Sequence, residues 1–142
     1  MTYIEFLQAY SSRIIDGSLI TLVQFLFATA VAVTTALALG LMRLSNNPAV
    51  KGSATIYIEI FRGTSLVVQL FWVFFVLPLF GITLDKFIAG FLTVGLNMGA
   101  YGAELVRGAI MAVPKGQWEA AKAINMTPLQ RMRRIILPQA FV

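Results

Sequence analysis

Charge is scarce in this chain, yet one charged pattern occurs twice: Glu59-Ile-Phe-Arg62-Gly63 and Glu104-Leu-Val-Arg107-Gly108, each an E-x-x-R-G. An acid and a base three residues apart share a helical face and can pair within one helix. Two such segments on antiparallel helices can also exchange partners. Arg62 would then lie deeper than Glu59 and Glu104 deeper than Arg107, matching Glu59 with Arg107 and Arg62 with Glu104. The sequence leaves both arrangements open, together with snorkelling of the basic side chains to an interface. Ionisable residues near a bilayer point to ion pairing and gating before substrate contact. The better polar candidates for lining a pathway are uncharged, Gln69 and Asn97, although a polar residue at such depth also serves as glue between helices.

Most other chemistry is excluded by residue type. The chain has no histidine and no cysteine. That removes disulfides, Cys/His metal sites, and mechanisms built on an imidazole base or a thiolate nucleophile. Gly90 and Gly95 have the spacing of a phosphate loop, but Leu96 stands where that motif needs lysine.

The elements that must position these residues are apolar. Of 142 residues, 58% are hydrophobic and 12% charged, against roughly 25% charged in soluble domains. Mean hydropathy is +0.82. The class expected is an all-α, polytopic helical membrane protein. Its N-terminus lacks a basic region and a small-residue cleavage site, so it does not read as a removed signal peptide. Residues 1–16 are expected to form an external segment with Tyr3, Phe6 and Tyr10 at headgroup level.

Three spans are expected, over 17–42, 56–80 and 87–110. The first lies in an uncharged run of 26 residues, Gly17 to Met42, where roughly 20 suffice to cross. Ala28, Ala32, Ala36 and Gly40 recur along it every four residues. Gly95, Gly99 and Ala103 repeat the spacing in the third. Such stripes either let helices approach closely in lipid or reflect ordinary alanine-rich composition. With the N-terminus outside, nine basic residues fall inside (Arg43, Lys51, Arg62, Arg107, Lys115, Lys122, Arg131, Arg133, Arg134) and two outside, Arg13 and Lys86. That bias assigns the orientation and accounts for a net charge of +5.

Residues 111–138 then form a cytoplasmic stretch. Pro114 ends the third helix, and Gln117–Ile124 reads as a short helix of good formers. Asn125 stands where a left-handed residue ends helices. Thr127 and Pro128 suit the N-cap and first position of the next helix, which Pro138 should kink. A helix-turn-helix for DNA has the same outline, but three apolar spans and the lack of a third helix argue against nucleic acid. Binding of anionic lipid by a basic segment is another use of the same location.

The residues Glu119-Ala120-Ala121, the turn at Asn125, and Ile135, Leu137 and Pro138 resemble the EAA loop of permease subunits of ABC importers. Upstream, YIEIFRGTSLVVQL (57–70) and GAYGAELVRGAIMAVPKGQWE (99–119) resemble the polar-amino-acid branch of that family. VLPLFGITL and AINMTP are similar to its ectoine and hydroxyectoine permeases. The resemblance covers nearly the whole chain.

It implies a five-span permease fold in a bacterial cytoplasmic membrane, with three spans present, and transport by alternating access without enzymatic activity. ATP and Mg would belong to a partner ATPase dimer, and the chain itself would bind no cofactor and no metal. Further partners would be a second permease subunit, identical or related, and an external solute-binding protein. Coupling would fall to Gly116, Trp118, Glu119, Ala120, Ala121, Asn125, Ile135, Leu137 and Pro138. Ala120 and Ala121 would allow close approach, Trp118 would anchor, and Glu119 would meet a partner cation. The family has glycine at Asn125 and often proline at Ser65, where serine should straighten the second span slightly. Family members continue through two more spans beyond Pro138, so a fragment is expected. The alternative from the residues alone is a piece of a secondary transporter or channel, with E-x-x-R-G as a trace of internal repetition.

Overall fold

The uncharged run after Gly17 forms part of one long helix, α1 (Tyr3–Arg43). The computed structural model describes residues 3–140, with side chains from Tyr10 onward. No break separates residues 3–16 of the expected external segment from the first span, because neither proline nor a cap interrupts the hydrogen-bond ladder. The side chains of Tyr3 and Phe6 lie outside the described residues. The hydroxyls of Ser18, Thr21 and Thr34 donate to carbonyls four residues back, at 2.7, 2.8 and 2.9 Å. These polar groups therefore need no partner outside the helix. Tyr10–Arg43 has a hydropathy of 2.1 over its most apolar window and is long and apolar enough to cross a membrane.

Asn47 caps α2 (Pro48–Gly63), accepting from the Ala49 N–H at 2.9 Å, with Pro48 in the first turn. The expected second span, 56–80, is not one straight helix. It is broken between α2 and α3 (Leu66–Phe71), and the segments Pro48–Gly63 and Leu66–Phe80 meet at 100°. Thr64 (φ −117°, ψ 146°) and Ser65 (φ −66°, ψ 135°) are both extended. Serine in place of proline therefore does not straighten the segment.

Beyond α3 the chain widens into a π turn over Trp72–Val76 and tightens into a 3-10 turn over Leu77–Phe80. Gly81 ends this run in the left-handed region, φ 83°. Asp85 then caps α4 (Lys86–Ala112), accepting from the Phe87 N–H at 2.8 Å. Among the described residues, α1 alone is by itself long and apolar enough to cross a membrane, and the bent pair qualifies as one broken span.

The two small-residue stripes face each other along the most extensive contact in the molecule, between α1 and α4. A Cβ on Gly95 would lie 2.6 Å from Val31 Cβ, and one on Gly99 2.6 Å from Thr35 Cβ. At Gly40 it would be 2.8 Å from Val106 Cβ, and at Gly102 2.7 Å from Ala36 Cβ. The stripes are thus a packing seam. Phe27 closes its other end against Phe87 and Phe91, with ring centres 6.1 and 5.4 Å apart.

Two small clusters complete the interior. Leu39, Ala54, Ile58 and Ala103 join α1, α2 and α4. Ile110, Val113 and Ile136 join the end of α4 to the C-terminal helices. Elsewhere large apolar side chains face outward, among them Phe25, Leu26, Val67 and Leu79. So broad an apolar exterior suits lipid or protein neighbours.

Candidate functional site

The helix break frees backbone carbonyls at the end of α2, and two side chains take them up. Gln69 Nε2 donates to Phe61 O at 3.0 Å and to Thr64 Oγ1 at 2.6 Å. Asn97 Nδ2, from α4, donates to the same Phe61 O at 3.0 Å and to Gln69 Oε1 at 3.0 Å. Asn97 is 2% exposed, so an unpaired amide there would be costly. The break and α4 are stitched into one polar network, and the two pathway candidates sit side by side as its members. Their amides hold backbone in place.

The four E-x-x-R-G charges gather at one end of the bundle, with different partners from those of the cross-pairing. Glu104 serves two arginines: Arg107 Nη2 at 3.1 Å, one turn on, and Arg43 Nη1 at 3.4 Å, from the end of α1. Arg107 Nε also donates to Glu104 Oε2 at 3.1 Å. Neither Glu59–Arg107 nor Arg62–Glu104 forms. The Arg62 guanidinium carbon lies 5.3 Å from the centre of the Tyr101 ring, and Glu59 has no ion pair among the described residues. Arg43, Glu59, Arg62, Tyr101 and Glu104 line a cavity of about 410 Å³. In the sequence Arg43 stands only as one of the nine inner basic residues. Its place at the end of an uncharged run was the available signal that it sits at the boundary.

The C-terminal stretch is a helical hairpin. Val113, extended ahead of Pro114, ends α4, and α5 (Lys115–Ala123) follows. Asn125 adopts φ 55°. Its N–H donates to Lys122 O at 2.9 Å and that of Met126 to Ala121 O at 3.1 Å, the paired bonds of a left-handed helix end. Thr127 and Gln130 then form a reciprocal capping box at the start of α6 (Pro128–Arg131), at 3.3 and 3.1 Å. The helix widens into a π turn over Met132–Ile136 and continues as α7 (Leu137–Ala140). Pro138, which lacks the N–H that would bond Arg134 O, thus follows a widened turn.

Two implied contacts of the hairpin require correction. Ala121 is fully buried against this chain's own helices, so it cannot offer close approach to another subunit. Trp118 packs on the Ile110, Val113 and Ile136 cluster, as do Ile135 and Leu137, and the Arg131 guanidinium carbon lies 6.0 Å from its ring centre. The outward face instead carries Gly116, Glu119, Ala120 and Ile124, and Pro138 is also exposed. Burying Ala121 and packing one side of Trp118 fixes the angle at which that face is presented.

The chain is similar to known transport proteins. A family model described as the inner membrane component of binding-protein-dependent transport systems matches residues 32–142. A probable amino-acid ABC transporter permease protein of Sinorhizobium fredii is 48% identical over 130 residues, covering 87% of this chain and 55% of that protein. The permease protein of an L-cystine transport system in Bacillus subtilis is 43% identical over 122 residues, covering 86% and 50%. The chain thus spans about half the length of these curated relatives. A crystal structure of an amino acid ABC transporter with histidines superimposes with a TM-score of 0.88 at 36% identity, over 99% of this chain and 65% of that one. The inward-facing MetNI methionine ABC transporter shares the fold, with a TM-score of 0.69 at 21% identity over 99% and 66%.

Proposed function

The chain belongs to the family of binding-protein-dependent transport system inner membrane components, and on that premise we propose that it forms part of the permease subunit of an ATP-driven amino-acid importer. The carrying observation is the hairpin. On its inner side the half-buried Trp118 packs on Ile110, Val113 and Ile136 and Ala121 is fully buried, while Gly116, Glu119, Ala120 and Ile124 face outward. A rigid element that is half core and half free surface transmits a push from a partner into α4. That partner is an ATPase dimer carrying ATP and Mg, and Glu119 meets a cation on it.

The relatives named for amino acids and L-cystine support a small zwitterionic substrate. Ectoine-like compatible solutes are a narrower version of the same class. The chain lies in the cytoplasmic membrane with its N-terminus outside. In this proposal α1, the bent α2–α3 pair and α4 supply three spans, and the exposed apolar faces meet lipid and a second permease subunit. Solute arrives from an external binding protein.

Capture of the ATPase tests the coupling face. In the assembled transporter, Glu119→Lys and Ala120→Asp should each abolish co-purification of the ATPase while leaving membrane insertion unchanged. Retention of the ATPase by both variants would refute this role for the hairpin. Ala121→Asp is unsuited to the test, because it places a carboxylate in the chain's own core.

A further inference from the structure

Between the hairpin and the loop joining α1 to α2 lies a groove of about 610 Å³. Lys115, Lys122 and Arg131 line it, and no acidic residue does among the described residues. Lys115, Trp118 and Lys122 follow one another at i, i+3 and i+7, so one stripe of α5 supplies most of one wall. None of the three cations has an ion pair among the described residues. Apart from Asn46, the rest of the lining is apolar or amphipathic, including Leu44, Trp118 and Met111. Met111, 63% exposed, stands at the end of α4, where the groove opens beside an apolar helix.

We propose that this groove binds an anionic phospholipid, with the headgroup phosphate held by Lys115, Lys122 and Arg131 and the first acyl carbons lying over Trp118 and Met111. Three cations line the groove, and the nearest acid, Glu119, one turn from Lys115 and Lys122, is outside its lining, which makes a site for concentrated negative charge. Apolar walls running onto α4 favour an anion that carries a hydrocarbon tail over a free one. The ring of Trp118, apolar with one polar edge, suits the level where headgroup meets hydrocarbon. The site lies on the stripe of α5 beside the outward coupling face, so lipid and ATPase occupy different sides of the hairpin. The proposal rests on the membrane placement above and is independent of the substrate.

The test is retention of phosphatidylglycerol by the transporter extracted in mild detergent, read by native mass spectrometry. Lys115→Gln/Lys122→Gln/Arg131→Gln should lower apparent affinity about a hundredfold, at the effect typical of a basic residue near an anionic surface. Lys51→Gln/Arg133→Gln/Arg134→Gln removes equal charge outside the groove and should retain the lipid. Lys115→Arg/Lys122→Arg/Arg131→Lys should also retain it, which keeps the test decisive if the neutral variant folds poorly. Equal loss in both neutralised triples, loss in neither, or loss in the charge-conserving variant would overturn the site. Equal retention of phosphatidylcholine would do the same, and displacement by millimolar inorganic phosphate would make it a free-anion site instead. Co-fractionation with membranes reads the permease proposal separately and should be unchanged in all variants.

Discussion

Gly99→Ala is the sharpest probe of the α1–α4 seam. The added Cβ would sit 2.6 Å from Thr35 Cβ, 2.7 Å from Thr35 Cγ2 and 3.2 Å from Ala32 O. Carbon atoms prefer separations of about 3.5–4.0 Å, so the shortfall is about 1 Å. Thr35 Cβ is fixed to its backbone and cannot rotate away, so the helices must separate. Overpacking of this kind costs about 1–3 kcal/mol, whereas replacing glycine by alanine in a helix gains about 1 kcal/mol. Gly108 lies on the same helix, and a Cβ added there would meet nothing within 4 Å, so Gly108→Ala collects the gain alone. Comparing the two cancels the propensity difference. Gly99→Ala should therefore be about 1–3 kcal/mol less stable than Gly108→Ala, measured by reversible unfolding in mixed micelles. Thr35→Gly should restore stability in the Gly99→Ala background, and Thr35→Ala, which keeps the Cβ, should not. Equal stability of the two alanine variants would refute the close approach.

Four further outcomes follow from these contacts. Asn97→Leu should destabilise by about 1–3 kcal/mol through the polar groups it leaves unpaired. A double-mutant cycle with Gln69→Leu should be non-additive, and simple additivity would count against a shared network. Glu104→Gln should cost about 1 kcal/mol in the same unfolding assay, since it weakens two partly exposed pairs, and Glu59→Gln should cost less. Glu59→Arg combined with Arg107→Glu should rescue nothing, whereas rescue would restore the cross-pairing. At Asn125, glycine should be tolerated and valine should cost about 1–2 kcal/mol, because the left-handed region crowds a Cβ. Hydrogen exchange at the Met126 amide, which is bonded to Ala121 O, reports that turn: faster exchange is expected in Asn125→Val alone, and unchanged exchange there would refute the argument.

What could be read from sequence were features whose cause lies within a few residues. Pro114 stops a helix because of its own ring and the residue before it. Asn125 turns left-handed because its side chain tolerates that region, and Thr127 with Gln130 caps a helix because the two lie three apart. The small-residue stripes were visible by the same logic, since spacing of four marks one helical face, but whether they meant close approach or ordinary composition was open until α4 was seen against α1. Family membership was legible as well, because it rests on strings of residues.

Tertiary structure decided which groups meet. The 100° break at Thr64–Ser65 persists without proline because Asn97, on another helix, bonds the freed carbonyl of Phe61. Glu104 chose Arg43 from α1 over Arg62, a choice that depends on how the seam sets α1 against α4. Trp118 turned inward because Ile110, Val113 and Ile136 offered an apolar surface to cover. Local backbone chemistry is written in neighbouring residues, but the partner of a buried charge or amide is fixed only when packed helices bring distant atoms within bonding distance.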